Sequence, residues 1–148
     1  MLSEIYAAEK RISQRFKIPG ATVSYRKERR LFKRKSFYEE FLPLKDLSRG
    51  GLRFVSQKRL KPGTKLFIQL SIPGERAPLS LFGKVRWSAR NKKGNYPFEA
   101  GVQFNVYGEK KSQNYPGNLV KIISLEQKFA SQELDPTAQP DEYDIESS

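Results

Sequence analysis

Apolar residues fall at every second position in three stretches of this chain, a period that fits a strand with one buried face. Leu66, Ile68, Leu70 and Ile72 form the first such stretch. Leu79, Leu81, Gly83, Val85 and Trp87 form the second, and Phe98, Ala100, Val102, Phe104 and Val106 the third. Val23 and Tyr25 mark an earlier strand, and residues 37–47 and 52–55 read as two more on either side of Arg49-Gly50-Gly51. Turn residues separate these runs: Lys61-Pro62-Gly63, Ile72-Pro73-Gly74 and Lys93-Gly94-Asn95. Six short strands with one apolar face predict a mainly β fold, a small six-stranded antiparallel barrel that closes its own edges.

After Tyr115-Pro116-Gly117 the period changes. Leu119, Ile122, Ile123 and Phe129 repeat as a helix face, with Val120 and Leu125 alongside and Asn118 as the expected N-cap. A terminal helix of this kind would plug or cover one barrel end. The expected organisation is therefore a short N-terminal helix and arm over 1–20, the barrel with its C-terminal α-helix over 21–130, and a disordered acidic tail over 131–148.

The 148 residues include neither cysteine nor histidine, which removes the usual zinc sites and the Ser-His and Cys-His nucleophile pairs. Carboxylate or lysine catalysis stays formally open, but no paired-carboxylate or nucleophile constellation is present, so a non-enzymatic chain without a cofactor is expected. The N-terminus lacks the basic start and apolar run of a signal peptide. No stretch approaches the ~18 apolar residues of a membrane span, and a cytoplasmic protein is the default. All 28 Lys and Arg lie in residues 1–128, against ten acids, a net +18; six acids in the last 16 residues bring the chain to +12. So large a positive field suits an anionic partner.

Asp46 and Ser48 lie two apart and project from one face of a strand, and Gly50 and Gly51 follow. A carboxylate, a hydroxyl and open backbone amides on one patch can read a guanine edge. The same residues also make an ordinary Asx or Ser turn between strands. Arg11 and Arg15, just ahead of the first strand, supply forks able to grip guanine O6 and N7 or a phosphate. Their spacing is not unique, since Arg26/Arg30 and other pairs repeat it.

In order, Arg11-x-x-x-Arg15, a strand, then Asp46-x-Ser48-x-x-Gly51 resembles the PilZ domain family of bacterial cyclic di-GMP receptors. Gly83-Lys84-Val85-Arg86-Trp87 resembles the family's G-x-V-x-W strand, and Gly101-Val102-Gln103-Phe104 its G-V-x-F strand. The likeness spans about residues 9–107, or to about 130 with the helix. The resemblance implies a PilZ-like barrel and cyclic di-GMP as ligand, with Arg11 and Arg15 clamping guanines and phosphates. It also implies that Asp46 and Ser48 bond a Watson–Crick edge and that Gly51, with Gly50, allows close approach. Lys10 occupies the position where the family tends to carry a basic residue, and Trp87 either borders the site or is a core aromatic. The implied mechanism is an arm, unpaired without ligand, that orders on binding and signals to a protein partner in motility, pilus or exopolysaccharide machinery.

The chain departs from the pattern in one place. Thirty residues separate Arg15 from Asp46, at the long end for the family, across the basic stretch 26–40, which leaves Arg26/Arg30 as the fallback pair. Two alternatives stay open: a basic barrel binding single-stranded nucleic acid on its many aromatics, and a PilZ-fold module that docks proteins without binding ligand.

Overall fold

The computed structural model describes residues 14–28 and 36–134. Six strands follow in chain order: β1 (Thr22–Lys27), β2 (Glu39–Ser48), β3 (Gly51–Ser56), β4 (Lys65–Ser71), β5 (Leu79–Arg90) and β6 (Phe98–Phe104). They close into a barrel in the order β1-β2-β3-β6-β5-β4, with every neighbouring pair antiparallel. The predicted six-stranded barrel is the observed one. Alternation explains its inside: Leu66, Ile68 and Leu70 of β4 are fully buried, as are Leu52 and Phe54 of β3 and Leu81 of β5. Burying each such side chain contributes about 1.5–3 kcal/mol.

The barrel's connections rest on a repeated tetrapeptide. In Lys61-Pro62-Gly63-Thr64 and Ile72-Pro73-Gly74-Glu75 the fourth amide donates to the first carbonyl, at 3.1 and 3.0 Å. Gly63 and Gly74 take φ of 91° and 89°. Proline second and positive-φ glycine third is the type II pattern, which only glycine adopts without strain. Ile18-Pro19-Gly20-Ala21 forms the same turn ahead of β1.

Tyr115-Pro116-Gly117-Asn118 closes likewise, by Asn118 N donating to Tyr115 O at 3.0 Å, but it continues into the helix α1 (Pro116–Leu134). Proline is suited to a first helical position because its missing N–H has no intrahelical partner there anyway. The helix thus begins two residues before the expected cap. Asn118 lies inside it and donates from Nδ2 to Ser80 O at 2.9 Å. At the other end α1 runs to Leu134, past the expected stop at 130. Ile122, Leu125 and Ala130 join the barrel core, with Phe129 packed against it, as a covering helix should; Val120 faces solvent. Residues 1–13, which take in the start of the expected N-terminal helix and arm, and the acidic tail from 135 lie outside the described residues.

Of the three irregularities in register, two decide which side chains of β2 and β5 face out. Register slips between Leu44 and Asp46 on β2 and between Val85 and Trp87 on β5. One extra residue reverses the facing of everything beyond it. Trp87 therefore leaves the inner row of Leu81 and Val85 and lies on the outside, 36% exposed. The core reading of Trp87 is corrected accordingly.

Candidate functional site on the outer face of the barrel

The register brings one row of residues together across four strands. Asp46 on β2 pairs with Arg53 on β3, Arg53 with Gly101 on β6, and Gly101 with Trp87 on β5. A parallel row runs from Ser48 through Gly51 and Gln103 to Lys84. Both rows lie on the outer surface, because their neighbours Leu47, Leu52 and Val102 fill the interior.

Asp46 is the centre of the first row. Its side chain is only 5% exposed, and three guanidinium contacts hold it. Arg53 donates to Oδ2 from Nε at 2.7 Å and from Nη2 as well, while Arg15 donates to Oδ1 from Nη1 at 3.0 Å. Such charge-assisted forks are about twice as strong as neutral hydrogen bonds. The Asp46 bond raises the Arg53 guanidinium above its ordinary range against the opposing effect of burial. Arg53 Nη1 also lies 3.7 Å from Glu99, whose other oxygen is 3.3 Å from Lys45 Nζ.

Arg15 and Asp46, separated in sequence, thus meet directly. Arg15 is held there by its neighbour. Phe16 is buried and bridges Leu47 of β2 with both backbone bonds at 2.9 Å. The expectation that nothing pairs the arginine arm without ligand is therefore corrected for Arg15. Like charges repel, but Asp46 lies within reach and the Phe16 bridge fixes the approach. Lys10, Arg11 and Arg30 lie outside the described residues.

Ser48 and the glycines serve the hairpin. Ser48 pairs with Gly51 around the two-residue loop Arg49-Gly50, and its Oγ donates to Gly51 O at 3.3 Å. Gly50 O accepts from Phe104 N at 2.8 Å. A Cβ on Gly51 would collide with the Val102 carbonyl oxygen, so the β6 backbone already requires a glycine there. Gly101 is demanded by Trp87, whose indole lies where its Cβ would be. The first row thus carries the Trp87 indole over Gly101 at one end and the arginine-bonded Asp46 at the other.

Arg49, inside the motif, bonds a carboxylate of the helix. Its Nε and Nη2 donate to Glu126 Oε2 on α1 at 3.2 and 2.8 Å, and Glu126 Oε1 accepts from Gln14 N at 3.3 Å. Tyr107 Oη donates to Arg49 O at 2.8 Å. One buried carboxylate therefore joins the loop, the helix and the N-terminal arm.

Sequence reasoning missed Arg53 and Glu126, though each had a signal. A two-residue loop at Arg49-Gly50 places 48 opposite 51, and hence 46 opposite 53. Glu126 lies four residues after Ile122, on the buried stripe of the helix, where an acid needs a partner.

This is a small closed barrel whose outer surface, rather than its interior, carries the cross-strand row of carboxylate and arginines. The family model of the PilZ domain matches residues 9–120, and the chain belongs to that family. PilZ domains generally bind cyclic di-GMP and are receptor domains rather than typical enzymes. No curated protein matches the chain. Among the described residues no helix is long and apolar enough to cross a membrane.

Proposed function

We propose that this chain is a cyclic di-GMP receptor that takes its ligand on the outer face of β2, β3 and β6, with Arg11, Arg15, Asp46 and Ser48 as contacts. Gly50 and Gly51 keep the patch open, Trp87 borders it, and Lys10, the residue before Arg11 in sequence, is a further candidate contact. No cofactor is needed. The observation that carries this reading is the 3.0 Å bond between Arg15 and Asp46, 31 residues apart, which joins the two halves of the motif at one point. Such a contact positions an arginine fork beside a carboxylate acceptor, the pair a guanine nucleotide requires.

Binding then works by exchange. The phosphates and guanine of the ligand replace Asp46 as the partner of Arg15, and the guanine N1–H and N2–H replace Arg15 as donors to Asp46. The arm ahead of Phe16 moves with its arginines and offers a new surface to a protein partner in the cytoplasm. Charge-assisted bonds contribute about 1.5–3 kcal/mol each; less the Arg15–Asp46 bond given up and roughly 1–2 kcal/mol for each arm residue ordered, they leave a modest net affinity, on the order of the 8 kcal/mol of a micromolar complex.

Calorimetric titration of cyclic di-GMP, GTP and a single-stranded oligonucleotide into wild type, Arg15→Ala and Arg30→Ala tests the reading. The expected result is cyclic di-GMP binding by wild type and Arg30→Ala, weakened at least tenfold in Arg15→Ala. No binding by wild type would sink it. Loss in Arg30→Ala alone moves the site to the Arg26/Arg30 pair, and tight, steeply salt-dependent oligonucleotide binding replaces it with the nucleic-acid reading.

A further inference from the structure

The acceptor carboxylate at the centre of the site is not equally available at its two oxygens. Asp46 Oδ2 receives two bonds from one residue, Arg53 Nε and Nη2, which occupy both of its lone-pair positions. Oδ1 receives the Arg15 bond at 3.0 Å from a side chain that is 54% exposed. Arg53 is the less exposed of the two and is anchored again at Glu99. Its stem rises from the middle of β3, between Asp46 and Gly101 in the register. Arg15 is an exchangeable partner of Asp46; Arg53 is a fixed one.

We propose that Arg53 is a specificity-determining positioning residue, whose two-pronged hold on Asp46 Oδ2 aims Oδ1 at the ligand and so enforces guanine over adenine. The inference rests on the cyclic di-GMP reading above. A guanine edge presents N1–H and N2–H, both donors, to an acceptor. Adenine presents an unprotonated N1 on that edge, which a fixed carboxylate oxygen repels. Discrimination therefore depends on Asp46 being unable to turn away. Without the Arg53 fork the carboxylate can rotate about its side-chain torsions, and the penalty against adenine relaxes. Lysine at 53 would restore the positive charge but not the fork geometry that immobilises one oxygen.

The test compares cyclic di-GMP with its adenine counterpart, cyclic di-AMP, in wild type, Arg53→Gln and Arg53→Lys, by calorimetry on the full chain. The readout is the ratio of the two dissociation constants, in which any inactive fraction of protein cancels. The ratio is expected to collapse at least tenfold in both variants, chiefly through tighter relative binding of the adenine ligand. A ratio unchanged in Arg53→Gln, with both affinities lowered alike, would show that Arg53 supports the strand and not the selection. A ratio restored in Arg53→Lys would show that charge alone suffices, and would also overturn the proposal. Absence of cyclic di-GMP binding by wild type overturns the receptor reading and this inference with it. That outcome is distinct from wild type binding without discrimination, which overturns the inference alone.

Discussion

Two outer faces of the same barrel each carry an arginine in a cross-strand row, and they use it in opposite ways. On the face of β2, β3 and β6, Arg53 stands between Asp46 and Gly101 and is held by carboxylates. On the face of β1, β4 and β5, Arg26 pairs with Phe67, and Phe67 with Phe82. There the guanidinium lies 4.5 Å over the Phe67 ring, while Phe37 stacks on Phe67 with centroids 6.4 Å apart and planes 12° apart. Phe82 completes the cluster at 5.4 Å. An aromatic face holds a cation by its quadrupole and by apolar contact along the side-chain stem. The carboxylate face holds Arg53 by a fork and a second contact, and leaves the bond of the exposed Arg15 to the other Asp46 oxygen for another anion to take over. The first arrangement covers a surface and the second leaves groups to exchange. This is a physical reason to prefer Arg15 over Arg26 as the ligand arginine, since Arg26 is engaged as the lid of a ring cluster.

The difference predicts opposite phenotypes. Asp46→Ala should weaken cyclic di-GMP binding by about 100-fold or more, which is about 2.7 kcal/mol. Phe67→Ala should leave affinity within about twofold while lowering unfolding free energy by about 1–2 kcal/mol, below the range for a fully buried phenylalanine because the ring is half-buried. Calorimetry and urea unfolding on both variants check the pair. Ligand binding lost in Phe67→Ala but kept in Asp46→Ala would exchange the roles of the two faces.

A smaller effect sharpens the extent of the binding face. Trp87 is three strands away from Asp46, over Gly101, and partly exposed. A ring in that place can stack on a base, a contact worth roughly 1–3 kcal/mol in nucleic-acid complexes. Trp87→Ala is expected to lower affinity by about five- to tenfold, and ligand should change the indole fluorescence of the wild type. Unchanged affinity together with unchanged fluorescence would end the binding face at Arg53.

The same residues show how much of the molecule is legible in the sequence. The strands were legible because one face of each is dry, and alternation records that directly: Leu66, Ile68 and Leu70 carry the whole argument for β4. Bulges leave no such record. Gly83, Val85 and Trp87 keep an uninterrupted alternation in sequence, yet the extra residue between Val85 and Trp87 turns the indole outward. Lys61-Pro62-Gly63, Ile72-Pro73-Gly74 and Tyr115-Pro116-Gly117 were legible as breaks but not as to kind, and the turn at Ile18-Pro19-Gly20 was not legible within the arm. The first two close turns, and the third opens α1 because the residues after it repeat at helical spacing. Asp46 and Arg15 were legible as a motif, whereas Arg53 needed the hairpin register and Glu126 needed the packing of α1 on the loop. The spacings that point to both, 46 opposite 53 around a two-residue loop and an acid four residues after Ile122, gain meaning only once the loop and the packed face of α1 are known.

The smallest expected effect lies inside the barrel, at the far end of β1 from the ligand arm. Tyr25 is buried among core residues, and its hydroxyl donates to Glu39 Oε2 on β2. Burial raises the phenol well above its ordinary value of 10.0; the bond to Glu39 and that carboxylate's charge add to the shift in the same direction. A raised folded value means that the phenol's contribution to stability is complete below about pH 10, where both states keep the proton. As pH rises above 10 the unfolded chain releases its proton first, and that contribution is lost on the way to the folded value. Tyr25→Phe should cost about 1 kcal/mol at neutral pH through the missing hydrogen bond, and the cost should shrink as the medium becomes alkaline. Urea unfolding of both proteins at about pH 7 and just above pH 10 measures this, with cyclic di-GMP affinity at neutral pH unchanged within about twofold. A stability gap that stays constant with pH would mean that Tyr25 is not held as the neutral phenol. A parallel loss of affinity would mean that the inner hydrogen bond and the outer carboxylate face are coupled through β2 rather than separate.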